Sequence, residues 1–244
     1  MKIRDIYLGK GIPVVSLVTA LLCLIVTGIS MIVPSIADKF IFMFPVTYPW
    51  QIITYLFQHY TTEDMIPGGL GGIPDALFSM VHLVFNLMLV LPFGVLVEKV
   101  LGTKRFLLLS FVAWQIDIGC IFFASFAAVT MYGQDSVDIA AFGASALAFA
   151  FMPVGLYIII LLGMNYGFGS LFKQVSFYLM IPVALITMFM AVSPLFGGIT
   201  TAGTSFLNLI ALLSGILFAV LFRGRIKYYL NTHKPASEPD VIKE

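Results

Sequence analysis

"HLVFNLMLVLPFGVLVEKVLGTKRF" occupies residues 82–106. From Leu83 to Val97 it is apolar except for Asn86, Pro92 and Gly94. About 20 such residues in a helix cross a bilayer, so residues 78–97 read as a membrane span. Glu98, Lys99, Lys104 and Arg105 then mark a bilayer face. His82 and Asn86 stand four apart, which puts them on one helical face. Such a pair serves as hydrogen-bonding glue between membrane helices. It is also a candidate for a polar site at membrane depth.

The rest of the chain has the same character. Of 244 residues, 60% are hydrophobic and 10% charged, against roughly 25% charged in soluble domains. Mean hydropathy is +1.04. The chain is therefore read as an all-α polytopic membrane protein. A net charge of +1 gives no reason to expect a nucleic-acid partner. Cys23 and Cys120 lie in apolar runs, so no disulfide framework is expected. No Cys/His cluster has metal-ligand spacing, and no Gly-rich phosphate loop occurs, so neither metal nor cofactor is expected.

Six stretches qualify as spans: 13–33, 78–97, 106–130, 143–162, 175–193 and 203–222. Residues 40–58 compete as a seventh, and charge decides against them. With six spans, Lys2, Arg4, Lys10, Lys99, Lys104, Arg105, Lys173, Arg223, Arg225, Lys227, Lys234 and Lys243 share one side, and only Lys39 falls on the other. The positive-inside rule makes that side, and both termini, cytoplasmic. Pro45 and Pro49 also interrupt 40–58. Residues 40–60 are expected to be re-entrant or interfacial, packed against protein. The first span's apolar run is too long for a cleaved signal peptide. This divides the chain into a tail (1–12), a six-helix domain (13–222) and a polar cytoplasmic tail (223–244), expected to be disordered from Lys227. "IPGGLGGIPD", 66–75, reads as a flexible Gly-rich loop. A bacterial plasma membrane is the expected location.

Three further features carry polar chemistry inside the spans. "GASA", 143–146, opens the fourth span with Ser145 among small residues. Such residues serve close helix packing. A serine at a helix start also sits beside free N–H groups that bind an oxyanion, and Asp135 and Asp138 place that start near the external face. In the sixth span Asn208, Ala211, Gly215 and Ala219 form one smooth stripe. Asn208 on that stripe is read as an interhelical hydrogen bond. Asp117, near Gln115, lies midway along the third span, where a carboxylate is either functional or protonated and structural.

Together these residues resemble the rhomboid family of intramembrane serine proteases. "YPWQIITYLFQH", 48–59, is similar to the family's first-loop pattern. His82, Asn86, Gly94, Glu98 and Gly102 resemble its second-helix block, "GASA" its Gly-x-Ser-Gly, and the sixth-span stripe its histidine helix. The resemblance runs from about residue 13 to 222. It implies a six-helix bundle with a half-sunk first loop and a water-filled site below the external surface. It implies Ser145 at the nucleophile position, His82 and Asn86 on the oxyanion side, and a gate at the fifth helix. Asn208 then stands where the family has its catalytic histidine. A carboxamide cannot hold a proton at neutral pH, and loss of the base costs a serine protease up to about a millionfold. Gln51 in place of the usual Arg, Ala146 in place of Gly, and about twenty extra residues between His59 and His82 are further departures.

The leading expectation is a catalytically impaired pseudoprotease that binds transmembrane segments of client proteins, as inactive rhomboid-like proteins do. The alternative is an active intramembrane serine endopeptidase using Ser145 with an atypical base. His82 is the candidate for that base, since His59 is expected near the interface and His233 in the tail. A small transporter with Asp117 as its coupling residue is the third reading.

Overall fold

The computed structural model describes residues 11–61, 74–133, 139–172, 175–192 and 199–232. The six expected spans appear as helices α1 (Val14–Ile32), α3 (Asp75–Leu101), α4 (Thr103–Tyr132), α5 (Ser145–Tyr166), α7 (Val175–Val192) and α8 (Ile199–Leu221). Between them stand a 3-10 turn (Pro34–Lys39), strand β1 (Phe42–Phe44), short helices α2 (Gln51–Thr54) and α6 (Phe168–Phe172), and strand β2 (Ile139–Ala141). Helix α9 (Arg223–Thr232) closes the described chain. By length and composition α1, α3, α4 and α5 can each cross a membrane, and α8 with α9 makes a bent fifth candidate. Within α7 the described apolar segment is shorter, Met180–Phe189. Asp135, Asp138, His233 and most of the 66–75 stretch lie outside the described residues.

Helix α1 shows how such a sequence packs in lipid. Ser16, Ala20, Cys23, Thr27 and Ser30, spaced four and three apart, are buried. Leu17, Leu21, Leu24, Ile25 and Ile29 face outward. Lipid tails are as apolar as leucine, so large side chains gain little by turning inward, while small ones let backbones approach. The inward stripe meets α3, where Gly94 leaves room for Ser16: a β-carbon there would stand 3.0 Å from its Oγ.

Glu98, at the end of α3, fixes the start of α1. Its carboxylate accepts from the N–H groups of Val15 (3.1 Å) and Ser16 (2.9 Å), from Ser16 Oγ (2.8 Å) and from Thr103 Oγ1 (3.1 Å). The first N–H groups of a helix lack intrahelical partners and carry partial positive charge. A buried carboxylate satisfies both requirements, and α1 has no side-chain cap of its own.

Helix α5 is the centre of the bundle. Ala146 through Phe151 are all buried, as are Met152, Val154, Ile158, Ile159 and Leu162. It packs on α3, α4 and α8. Gly215 of α8 lies so close that a β-carbon would sit 2.3 Å from the Ala150 carbonyl oxygen. The small-residue stripe of the sixth span is thus a close backbone contact.

Residues 40–60 form no span. Ile41, Phe42, Tyr55 and Leu56 are buried, and Trp114 of α4 donates from Nε1 to the Ile52 carbonyl at 2.8 Å. Gln51 organises this segment. Its Oε1 accepts from the N–H groups of Thr47 (3.2 Å) and Tyr48 (3.1 Å), and its Nε2 donates to the Asp38 carbonyl (2.7 Å).

One expectation differs from the structure: the disorder expected from Lys227. The polar tail expected from residue 223 begins as the ordered helix α9, bent 58° from α8. Ile226 and Leu230, one turn apart, are buried against the bundle. Two apolar residues at that spacing suffice to dock a short, otherwise polar helix.

Candidate active site

The site assembles around Gly143–Ala144–Ser145, the turn from β2 into α5. Strand β2 pairs antiparallel with β1, Phe42 opposite Ala141 and Phe44 opposite Ile139. The first loop is therefore laced to the backbone just ahead of Ser145. The Gly143 N–H donates to the Tyr55 carbonyl at 2.8 Å. The Ala144 N–H donates to His59 Nε2 at 3.2 Å.

That second bond fixes the state of His59. Nε2 accepts, so the proton of the neutral ring is on Nδ1. Nδ1 faces the Phe57 carbonyl at 3.2 Å and Thr27 Oγ1 at 3.5 Å. Thr27 Oγ1 also accepts from the His59 N–H at 3.1 Å. His59 is fully buried within the protein. Burial first, and the adjacent His82 second, lower its pKa to about 3, against the opposing hydrogen bond to Phe57. A neutral His59 whose acceptor is already occupied is not placed to act as a base.

His82 stands against the same turn. Its ring lies 5.0 Å from that of His59 and 5.3 Å, edge-on, from that of Phe142. A β-carbon on Gly143 would come within 2.7 Å of His82 Cε1 and 2.9 Å of Nε2. Gly143 also has φ +99°, a conformation that side chains disfavour. Glycine is therefore required here twice over, by backbone angle and by the imidazole. His82 Nδ1 is buried without a hydrogen-bond partner. Asn86 is buried, and its Nδ2 donates back to the His82 carbonyl at 3.1 Å.

Ser145 opens α5 and is half-buried. The cap residue is Ala144, and no side chain caps the helix. The first N–H groups of α5 are thus available to an anion, as an oxyanion site requires. Asn208 is also half-buried. From the Ala150–Gly215 contact, Ser145 is about 7.5 Å back along α5 and Asn208 about 10.5 Å back along α8, at 1.5 Å per residue. Asn208 keeps within about 20° of the Gly215 face, while Ser145 is turned about 140° from Ala150. Among the described residues no hydrogen bond joins Ser145 and Asn208.

Asp117, open to two readings from sequence, has a buried partner. Tyr55 donates its hydroxyl to Asp117 Oδ2 at 2.6 Å. The same Tyr55 holds Gly143 through its carbonyl, so α4, the first loop and the serine turn are connected in series. Gln115, nearby in sequence, is exposed.

The structure thus brings His82 and the serine turn together and adds His59 and Tyr55, while Asn208 stands on α8, the helix packed on α5. The sequence hint for those two is their place in the "YPWQIITYLFQH" motif. Among the described residues no group of three or more His, Cys, Asp or Glu could hold a metal ion. Residues 77–225, more than half of the chain, match the family model described as Rhomboid domain. No curated protein matches, and no solved structure does. The chain belongs to the rhomboid family and is an integral membrane protein.

Proposed function

We propose that this rhomboid-family chain is a catalytically impaired pseudoprotease that binds transmembrane segments of client proteins. The observation that carries the reading is Asn208. It shares the α8 stripe of Gly215, whose backbone packs on α5, and in this reading it occupies the position where a serine hydrolase needs a proton acceptor. Serine is weakly nucleophilic until a base takes its proton, and the amide cannot do so. The neutral, hydrogen-bonded His59 does not replace it. Client segments reach the bundle through the bilayer, with both chain termini on the cytoplasmic side.

A second reading has one observation in its favour: the His82 imidazole lies against Gly143, two residues from Ser145. An endopeptidase using Ser145 would take its base from there. Labelling of the purified chain with a fluorophosphonate distinguishes the two. The pseudoprotease gives no label that depends on Ser145. Robust labelling abolished by Ser145→Ala overturns that reading and directs attention to His82.

A further inference from the structure

We infer that the end of the bundle carrying α9 is a binding surface for the headgroups of anionic phospholipids. This goes beyond the proposed client binding and does not depend on it. Helix α9 spends its apolar face on the protein, since Ile226 and Leu230 are 0% and 1% exposed. Its remaining surface is cationic: Arg223, Arg225 and Lys227 are all exposed. Arg225 lies over the exposed Tyr228 ring, 5.4 Å from its centroid. The 58° bend turns this surface across the bundle end and away from the α8 axis.

Neighbouring elements add charge of the same sign. Helix α9 packs on α3 and α5. The α3–α4 junction at that end carries Lys99, Lys104 and Arg105, with Lys104 and Arg105 exposed. Lys99 donates to the Gly11 carbonyl and Arg105 to the Leu101 carbonyl. These are bonds to neutral groups that leave the charges uncompensated. The acid at this end among the described residues, Glu98, is 2% exposed and already accepts four hydrogen bonds. Six cations thus stand at this end of the bundle, where no exposed carboxylate among the described residues neutralises them. Phosphodiesters match this chemistry. The guanidinium fork pairs with phosphate oxygens, basic groups at the membrane surface attract anionic lipid, and a tyrosine ring suits the interface.

The test uses the full chain in detergent, titrated with phosphatidylglycerol or phosphatidylcholine and read by native mass spectrometry. The parent should retain phosphatidylglycerol at least tenfold better, and the preference should shrink as salt rises. The triple variant Arg223→Gln, Arg225→Gln, Lys227→Gln should lose most of it, because those side chains are exposed and folding does not need them. Lys39→Gln, at the opposite end, should leave it unchanged. An undiminished preference in the triple variant, or none in the parent, overturns the proposal. So does a thermal shift with inorganic phosphate equal to that with the lipid. A preference seen only in a chain ending at Thr232 would name Glu238, Asp240 and Glu244 as the occupants instead.

Discussion

The Ala144 N–H donates to Nε2 of His59 across 3.2 Å, tying the first loop to the residue that precedes Ser145. The bond holds only while His59 is neutral, because a protonated ring has no lone pair to offer.

This makes stability depend on pH. His59 titrates near 6.5 when unfolded and at about 3 when folded. Between those values the unfolded chain binds more protons, so stability rises with pH across that window. The contribution is complete above about 6.5 and is lost as pH falls toward about 3. The unfolding midpoint in detergent should therefore be flat above pH 7 and drop below pH 6. His59→Gln keeps an acceptor for Ala144 without a titrating group and should flatten the drop. His59→Ala strands the Ala144 N–H and should lower stability by about 1–3 kcal/mol even at pH 8. An unchanged pH profile in His59→Gln would contradict this assignment.

Glu98 should behave as the clamp on α1. Glu98→Ala removes the acceptor of four hydrogen bonds and leaves the α1 start uncapped, at a cost of about 3 kcal/mol or more. Glu98→Gln, which keeps one acceptor oxygen, should fall between that variant and the parent. Thermal unfolding in detergent measures both. Equal midpoints for Glu98→Ala and the parent would show that α1 is held by apolar packing alone.

For Asp117 the expected role is positional. Asp117→Asn can still accept from the Tyr55 hydroxyl and should fold and bind clients as the parent does. Asp117→Ala and Tyr55→Phe should each destabilise by about 1–3 kcal/mol. Their double variant should cost less than the sum, because both remove one shared bond. Strict additivity in that cycle would show that the Tyr55–Asp117 bond carries no energy.

The spans were legible because bilayer thickness demands long apolar runs and the Lys/Arg distribution limits their number. The close approach of the sixth-span stripe was legible because Gly215 and its helical neighbours are small, and the structure sets Gly215 against Ala150. The partners of Glu98 and Asp117 were not: Ser16 is 82 residues from Glu98, and Tyr55 is 62 from Asp117. The β1–β2 ladder pairs only three residues on each side, too short for any alternation to announce it. The burial of His59 was not legible because its environment is built by α1, α3 and the start of α5, whose convergence no local pattern encodes. Helix α9 was hidden by its charge, with Ile226 and Leu230 buried against the bundle and Tyr229 partly so.

The most direct test of the missing base is to supply one. Asn208→His is close to volume-conserving beside Ala211, and strain should be modest. An imidazole at that position should raise fluorophosphonate labelling by about 10²–10⁴-fold, the usual contribution of a positioned general base. The gain should vanish when Ser145→Ala is added, and Ala146→Gly should increase it if the Ala146 methyl crowds the oxyanion site. A well-folded Asn208→His, Ala146→Gly chain that gains no Ser145-dependent label would contradict the claim that position 208 is where the catalytic base is missing.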